Sequence, residues 1–102
     1  MTEVSDTLYE DVASYLNFTW TDPEREKRIK GHILSSANYI DYVANKTFVY
    51  EGANADQFAR ELLFNRVLYA DSQALDDFHK NYVNELNTLR IMYGDSENAE
   101  SN

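Results

Sequence analysis

The segment FARELLFNRVLYADSQALDDFHKNYVNELNTLR, residues 58–90, decides the fold. In it Phe58, Leu62, Leu63, Val67, Leu75, Phe78, Tyr82, Leu86 and Leu89 recur at three- and four-residue intervals. That spacing places apolar side chains along one side of a helix, which must be buried against other helices, and leaves a polar outer face. The pattern predicts a third helix over about 53–72 and a fourth over about 73–93. The Asp71-Ser72-Gln73 step between them reads as a turn or as a bend in one longer helix.

Upstream, two further helices are expected. One starts near Thr7, with Leu8, Val12, Tyr15 and Leu16 on one side. It is short, because Asn17-Phe18-Thr19-Trp20-Thr21-Asp22 crowds in residues that compete with the helical backbone for hydrogen bonds or are bulky and β-branched. The next begins where Thr21 and Glu24 match a capping box and Asp22-Pro23 matches a cap followed by proline at the first helical position. It runs to about Ala44 and buries Ile29, Ile33, Ala37, Ile40 and Val43 or Ala44. Glu24/Arg28 and Glu26/Lys30 stand at favourable i,i+4 spacing on its outer face, Gly31 costs it about 1 kcal/mol relative to alanine, and Asn45-Lys46 closes it. Thr47-Phe48-Val49-Tyr50 is β-prone, and either pairs with Phe18-Thr19-Trp20 or lies as an extended connection. The fold class is therefore all-α, a small bundle of about four helices with one short extended segment. Residues 1–94 form a single domain, and 95–102, ended off by Gly94, form an acidic flexible tail.

Composition agrees. A chain of 102 residues fits one domain and buries roughly 65% of its unfolded surface. With 43% hydrophobic residues and eight Tyr, five Phe and one Trp, it is too apolar to remain unfolded. One proline and three glycines suit long helices with few turns. Eighteen acidic against nine basic residues give a net charge of −9, which repels nucleic acid and anionic membranes and predicts no sequence-specific DNA binding. The lack of cysteine excludes disulfides and thiolate metal sites. No eighteen apolar residues follow one another and the first residues resemble no export signal, so a soluble chain is expected, and the sequons at Asn17 and Asn45 read as coincidental.

Catalytic constellations are sparse. His32 and His79 stand far apart, and His79, with Asp76 three residues before it, reads as a solvated or interface histidine or else as a ligand or pH-sensing group. Glu3/Asp6 and Glu97/Glu100 are the carboxylate pairs at metal-binding spacing, and both fall in the chain's ends. No cofactor, metal or catalysis is expected. Arg25, Lys27, Arg28 and Lys30 form the one basic island, interleaved with Glu24 and Glu26, and read as a solvated face or a dock for an acidic partner. Arg66, among Leu62, Leu63 and Tyr69, predicts an ion pair to a carboxylate on a neighbouring helix or in a neighbouring subunit. Trp20 reads as a core plug of its loop, or else as a ligand platform.

Three segments in order resemble the head-tail connector proteins of tailed bacteriophages, the small helical adaptors beneath the portal. They are Asp11-Val12 through Tyr15-Leu16-Asn17 with Trp20-Thr21-Asp22; then Ile29, Ile33, Ala37, Tyr39-Ile40 and the Phe48 region; then Glu61-Leu62-Leu63-Phe64, Tyr69, Ala74 through Phe78, Tyr82, Glu85-Leu86 and Leu89-Arg90. They cover about residues 9–92, and their specificity lies in order and spacing. The turn before the last helix departs from the family, with Leu68, Ala70, Asp71 and Gln73 where relatives carry basic residues and an Asn.

The resemblance implies a non-enzymatic virion protein at the head–tail interface, present in host cytoplasm during assembly. It would form a homo-oligomeric ring, typically a dodecamer, between the portal protein and a tail-side connector or stopper, and DNA would pass through without specific binding. Trp20, Arg25, Arg28, Arg66 and Arg90 are its candidate interface residues. The competing expectation is an acidic regulatory binder, a nucleic-acid mimic or antidote-type inhibitor.

Overall fold

Five α-helices and a closing π-helical turn account for the ordered secondary structure in a computed structural model that describes residues 1–17 and 22–95. They are α1 (Asp6–Tyr15), α2 (Pro23–Ala44), α3 (Gln57–Asp71), α4 (Leu75–Asn81), α5 (Val83–Leu89) and the turn Arg90–Asp95. The described residues contain no strand. The Thr21 half of the cap reading, the Phe18-Thr19-Trp20 pairing and the 96–102 part of the tail lie outside the described residues.

Local chemistry fixes the boundaries. Ser5 accepts from the Leu8 N–H to start α1. Asp22 accepts from the Arg25 N–H, with Pro23 at the first helical position of α2. The far ends use residues held left-handed: Asn17 (φ 62°), Asn45 (φ 54°) and Gln73 (φ 57°). After α2, the Lys46 N–H returns to the Asp41 carbonyl at 3.1 Å and the Asn45 N–H to Tyr42 at 3.2 Å; after α3, Ala74 returns to Tyr69 at 2.8 Å and Gln73 to Ala70 at 3.1 Å. Both are Schellman closures, which use up otherwise orphaned carbonyls. Two sequon asparagines thus serve as helix terminators.

Two expectations need correction, and one open alternative is settled. The third helix starts at Gln57 and not near Ala53, because Asp56 turns its carboxylate onto the Ala59 N–H at 3.0 Å while its own N–H bonds the Val49 carbonyl at 3.0 Å. The Asp71-Ser72-Gln73 step is a turn, so α3 and α4 are separate helices. The expected fourth helix begins at Leu75 and breaks its α-geometry at Tyr82 (φ −112°, ψ 18°). It then widens into a π-helical turn that carries the backbone through Gly94 to Asp95.

The core follows the predicted stripes. Leu62, Leu63, Val67, Phe78, Leu86 and Leu89 are buried together with Ile29, Ile33, Ala37, Ile40, Val43 and Ala44 of α2, and Leu8 and Val12 of α1. Phe58, Leu75 and Tyr82 are half-buried. α2 lies antiparallel to α3, since Arg28 meets Asp71 while Ser36 meets Arg66. Tyr15 is the exception in α1. It stays 46% exposed, edge-on to Phe64 with centroids 5.4 Å apart, and its hydroxyl donates to Asn65 Oδ1 at 3.0 Å.

Candidate functional site: surfaces and polar layers of the bundle

Two polar fastenings hold the non-helical parts to the core. Tyr50 is 2% exposed, and its hydroxyl lies 2.7 Å from Asp41 Oδ1 and 3.1 Å from the Ala37 carbonyl. One phenolic proton serves one acceptor fully, and the ionised, closer Asp41 takes it. Asp41 also accepts from the Phe48 N–H at 3.1 Å, so a single carboxylate near the end of α2 fixes the extended 47–50 segment. Burial, then the bond to Asp41, pushes the Tyr50 phenol far above its ordinary pKa. Arg60 secures the same segment from α3, with Nη1 on the Tyr50 carbonyl at 2.6 Å, Nη2 on Asp11 at 2.9 Å and its guanidinium over Phe64.

The second fastening clasps the C-terminal turn. Tyr93 donates to Asp56 Oδ2 at 2.9 Å, while Asp56 Oδ1 caps α3. The Tyr93 ring meets Phe48 edge-on at 5.2 Å, with Lys46 Nζ 5.3 Å from the Tyr93 centroid. The bond to Asp56 raises the Tyr93 pKa. Sequence reasoning missed Asp41, Tyr50, Asp56 and Tyr93. The available signal was an aromatic pair, Phe48 and Tyr50, following Asp41, an acid with no basic residue three or four positions away on its helix.

The basic island is largely occupied within the chain. Lys30 sits 3.1 Å from Asp6 and 3.3 Å from Glu26, which realises the predicted i,i+4 pair, and the bond to Asp6 raises its pKa against the opposing effect of burial. Arg28 pairs with Asp71 of α3 at 3.3 Å in place of Glu24. Such exposed pairs contribute little to stability. Arg25 is half-buried, and its backbone N–H is the donor to the Asp22 cap. Arg90 is exposed and donates to Asn87 Oδ1 at 3.0 Å. Trp20 lies outside the described residues. The structure thus brings Arg28 and Asp71 together but gathers Arg25, Arg28, Arg66 and Arg90 into no common site.

Arg66 corrects the intramolecular ion-pair expectation. It is 8% exposed, Nη1 donates to Ser36 Oγ at 2.9 Å, and the guanidinium lies 4.6 Å from the Tyr39 centroid. Among the described residues no carboxylate pairs with it, because the antiparallel register sets Ser36 of α2 opposite. Burial lowers its pKa, and Tyr39 partly offsets this. His79 is exposed, with Nδ1 3.3 Å from the Tyr39 hydroxyl. Burial lowers the pKa of His32, with Arg28 and Arg66 acting in the same direction and Asp71 against it. Among the described residues no three His, Asp or Glu side chains are grouped to hold a metal ion, and no helix is long and apolar enough to cross a membrane.

The surface that remains is apolar in places. Val83 (49%), Ile91 (62%) and Met92 (52%) project from the C-terminal helical run, and Tyr42 (83%) from the end of α2. Phe78, Leu86 and Leu89 of that run face the core, so it carries apolar side chains both inward and outward. No protein-family model, curated protein or solved structure matches the chain.

Proposed function

We propose that this chain is a structural subunit of a bacteriophage head-tail connector, assembling as a ring between the portal and a tail-side connector around the channel that DNA traverses. The observation that carries this reading is the doubly apolar C-terminal run. A helical run of α4, α5 and the π-helical turn that buries Phe78, Leu86 and Leu89 inward yet leaves Val83, Ile91 and Met92 in water has a second surface suited to a protein neighbour. Identical copies meeting through two different patches generate a closed ring when the rotation closes. The net charge of −9 supports the channel role, since a negative wall lowers affinity for phosphates. It also opposes association of free subunits, so a portal that presents equivalent docking sites promotes assembly.

The test is size exclusion with light scattering on the purified chain, with and without the portal protein encoded in the same gene cluster, alongside duplex titration at physiological salt. The reading expects a discrete high-mass species with portal and no duplex binding. Subunits that stay unassociated at micromolar concentration, or that inhibit a basic partner enzyme instead, favour the regulatory-binder reading.

A further inference from the structure

Charge is missing from two stretches of the exposed surface. The first two turns of α2 expose Glu24, Lys27 and Arg28, but from Gly31 onward its exposed residues are Gly31, Ser35, Asn38 and Tyr42, none of them charged. Tyr42 projects from that face with 83% of its surface in water. α5 and the π-helical turn show the same loss. There Val83, Asn84, Asn87, Thr88, Ile91 and Met92 are exposed, and Arg90 is the one exposed charge among residues 83–93. The remaining helices differ: α1 exposes Asp6 and Glu10, α3 Glu61, and α4 Asp76, Asp77 and Lys80. α2 and α5 give their buried sides to one core, so the two charge-poor faces look out of the bundle from different helices.

We infer that the charge-free face of α2 in one copy packs on the outer face of α5 and the π-helical turn in the next copy. This inference rests on the ring reading above and names the contact within it. Charge decides the occupant. A basic partner would be held by acids, and these faces expose none. A second copy carries the same net charge of −9, and at physiological salt the field of a charge fades over about 8 Å. What opposes close approach is therefore like charge at the contact itself, and copies meet most readily where acids are missing. Arg90 and Lys46, which border the two faces along the chain, are exposed and basic, and add attraction toward an acidic neighbour. The faces also complement each other in chemistry. One presents a tyrosine among Gly31, Ser35 and Asn38, the other three apolar side chains, Val83, Ile91 and Met92. Aromatic and methionine side chains with few charges are the composition of interface cores. Pairing unlike faces leaves each end of a growing assembly with one face open, which is how a ring continues until it closes.

Wild type is measured first, by mass photometry with portal present. If it does not assemble, the ring reading fails and this contact falls with it. Tyr42→Glu and Ile91→Glu then place a carboxylate on one face each, at positions exposed enough to leave the monomer's unfolding midpoint unchanged. Gln57→Glu adds the same charge at an exposed position outside both faces. Each face variant raises the concentration needed for assembly by about tenfold or more, because the contact must bury an unpaired charge, while Gln57→Glu stays within about twofold of wild type. The chain holds no cysteine, so Tyr42→Cys and Ile91→Cys each introduce a single thiol. Assembled on portal and treated with a short bismaleimide, a mixture of these two variants yields linked pairs, whereas either variant alone yields few. If wild type assembles and a face variant assembles as readily as Gln57→Glu, or the mixture links no better than the separate variants, the pairing alone is overturned. It is overturned equally if Tyr42→Glu or Ile91→Glu stops single copies from binding portal, since that face then docks the portal.

Discussion

Replacing Tyr50 by phenylalanine removes a buried hydroxyl that lies within hydrogen-bond distance of both Asp41 Oδ1 and the Ala37 carbonyl. The ring remains, 2% exposed and edge-on to Phe48 with centroids 6.1 Å apart, so no cavity of consequence opens. What is lost is a 2.7 Å hydrogen bond to an ionised carboxylate, a class worth about 1.5–3 kcal/mol. Asp41 is only half-buried and keeps the Phe48 N–H, which favours the lower part of that range, about 2 kcal/mol. For a domain of this size that lowers the melting temperature by roughly 8–16 °C. Urea unfolding followed by far-ultraviolet circular dichroism measures it. The same pair makes a second, independent forecast. The Tyr50 pKa is raised by burial and by Asp41, so the native state holds a proton that the unfolded chain releases above about pH 10. The contribution is complete below that pH and declines above it by up to about 1.4 kcal/mol per pH unit. Tyr82 and Tyr93 also titrate high, but they are common to both proteins and cancel in the difference. The gap between wild type and Tyr50→Phe should hold steady to pH 10 and close near pH 11.5, where about 1.5 units of loss at that slope have accumulated. A gap below about 0.5 kcal/mol at neutral pH, or one that persists unchanged into strong alkali, refutes the assignment of Asp41 as the acceptor.

Other outcomes follow from single contacts. Gly31 sits on the exposed side of α2 with nothing within 4 Å of an added Cβ, so Gly31→Ala should stabilise by about 0.5–1 kcal/mol in the same unfolding assay. Asp56→Ala removes the cap of α3 and the anchor of Tyr93 together. It should cost about 1 kcal/mol for the cap and accelerate amide hydrogen exchange selectively over 90–95; unchanged exchange there would show that Tyr93 is held by its aromatic contacts alone.

Where chemistry is local, the sequence was legible. α2 runs between the predicted ends because Asp22-Pro23 and Asn45 act on their own neighbours, and its buried face follows from Ile29, Ile33, Ala37 and Ile40 at helical spacing. Tyr82 shows where periodicity misleads. Phe78, Tyr82 and Leu86 keep perfect i,i+4 spacing across a residue whose backbone leaves the α-region, because the stripe records what is buried and not how each peptide is oriented. α3 starts later than periodicity suggests because Asp56 caps it, a signal that the apolar spacing does not carry. Arg66 stands out in the sequence as a cation on an apolar helix, yet its partner, Ser36, depends on the register of α2 against α3, which only packing determines. Tyr50 with Asp41 and Tyr93 with Asp56 were hidden for the same reason, each joining positions that local pattern does not relate.

The central claim is that copies of this chain close into a ring on a portal. Electron microscopy of the purified protein mixed with its cognate portal tests it most directly. The account predicts particles in which an added ring of this subunit, sharing the portal's axis, surrounds an open channel. Portal particles without added density, with the chain still monomeric in solution, would contradict it.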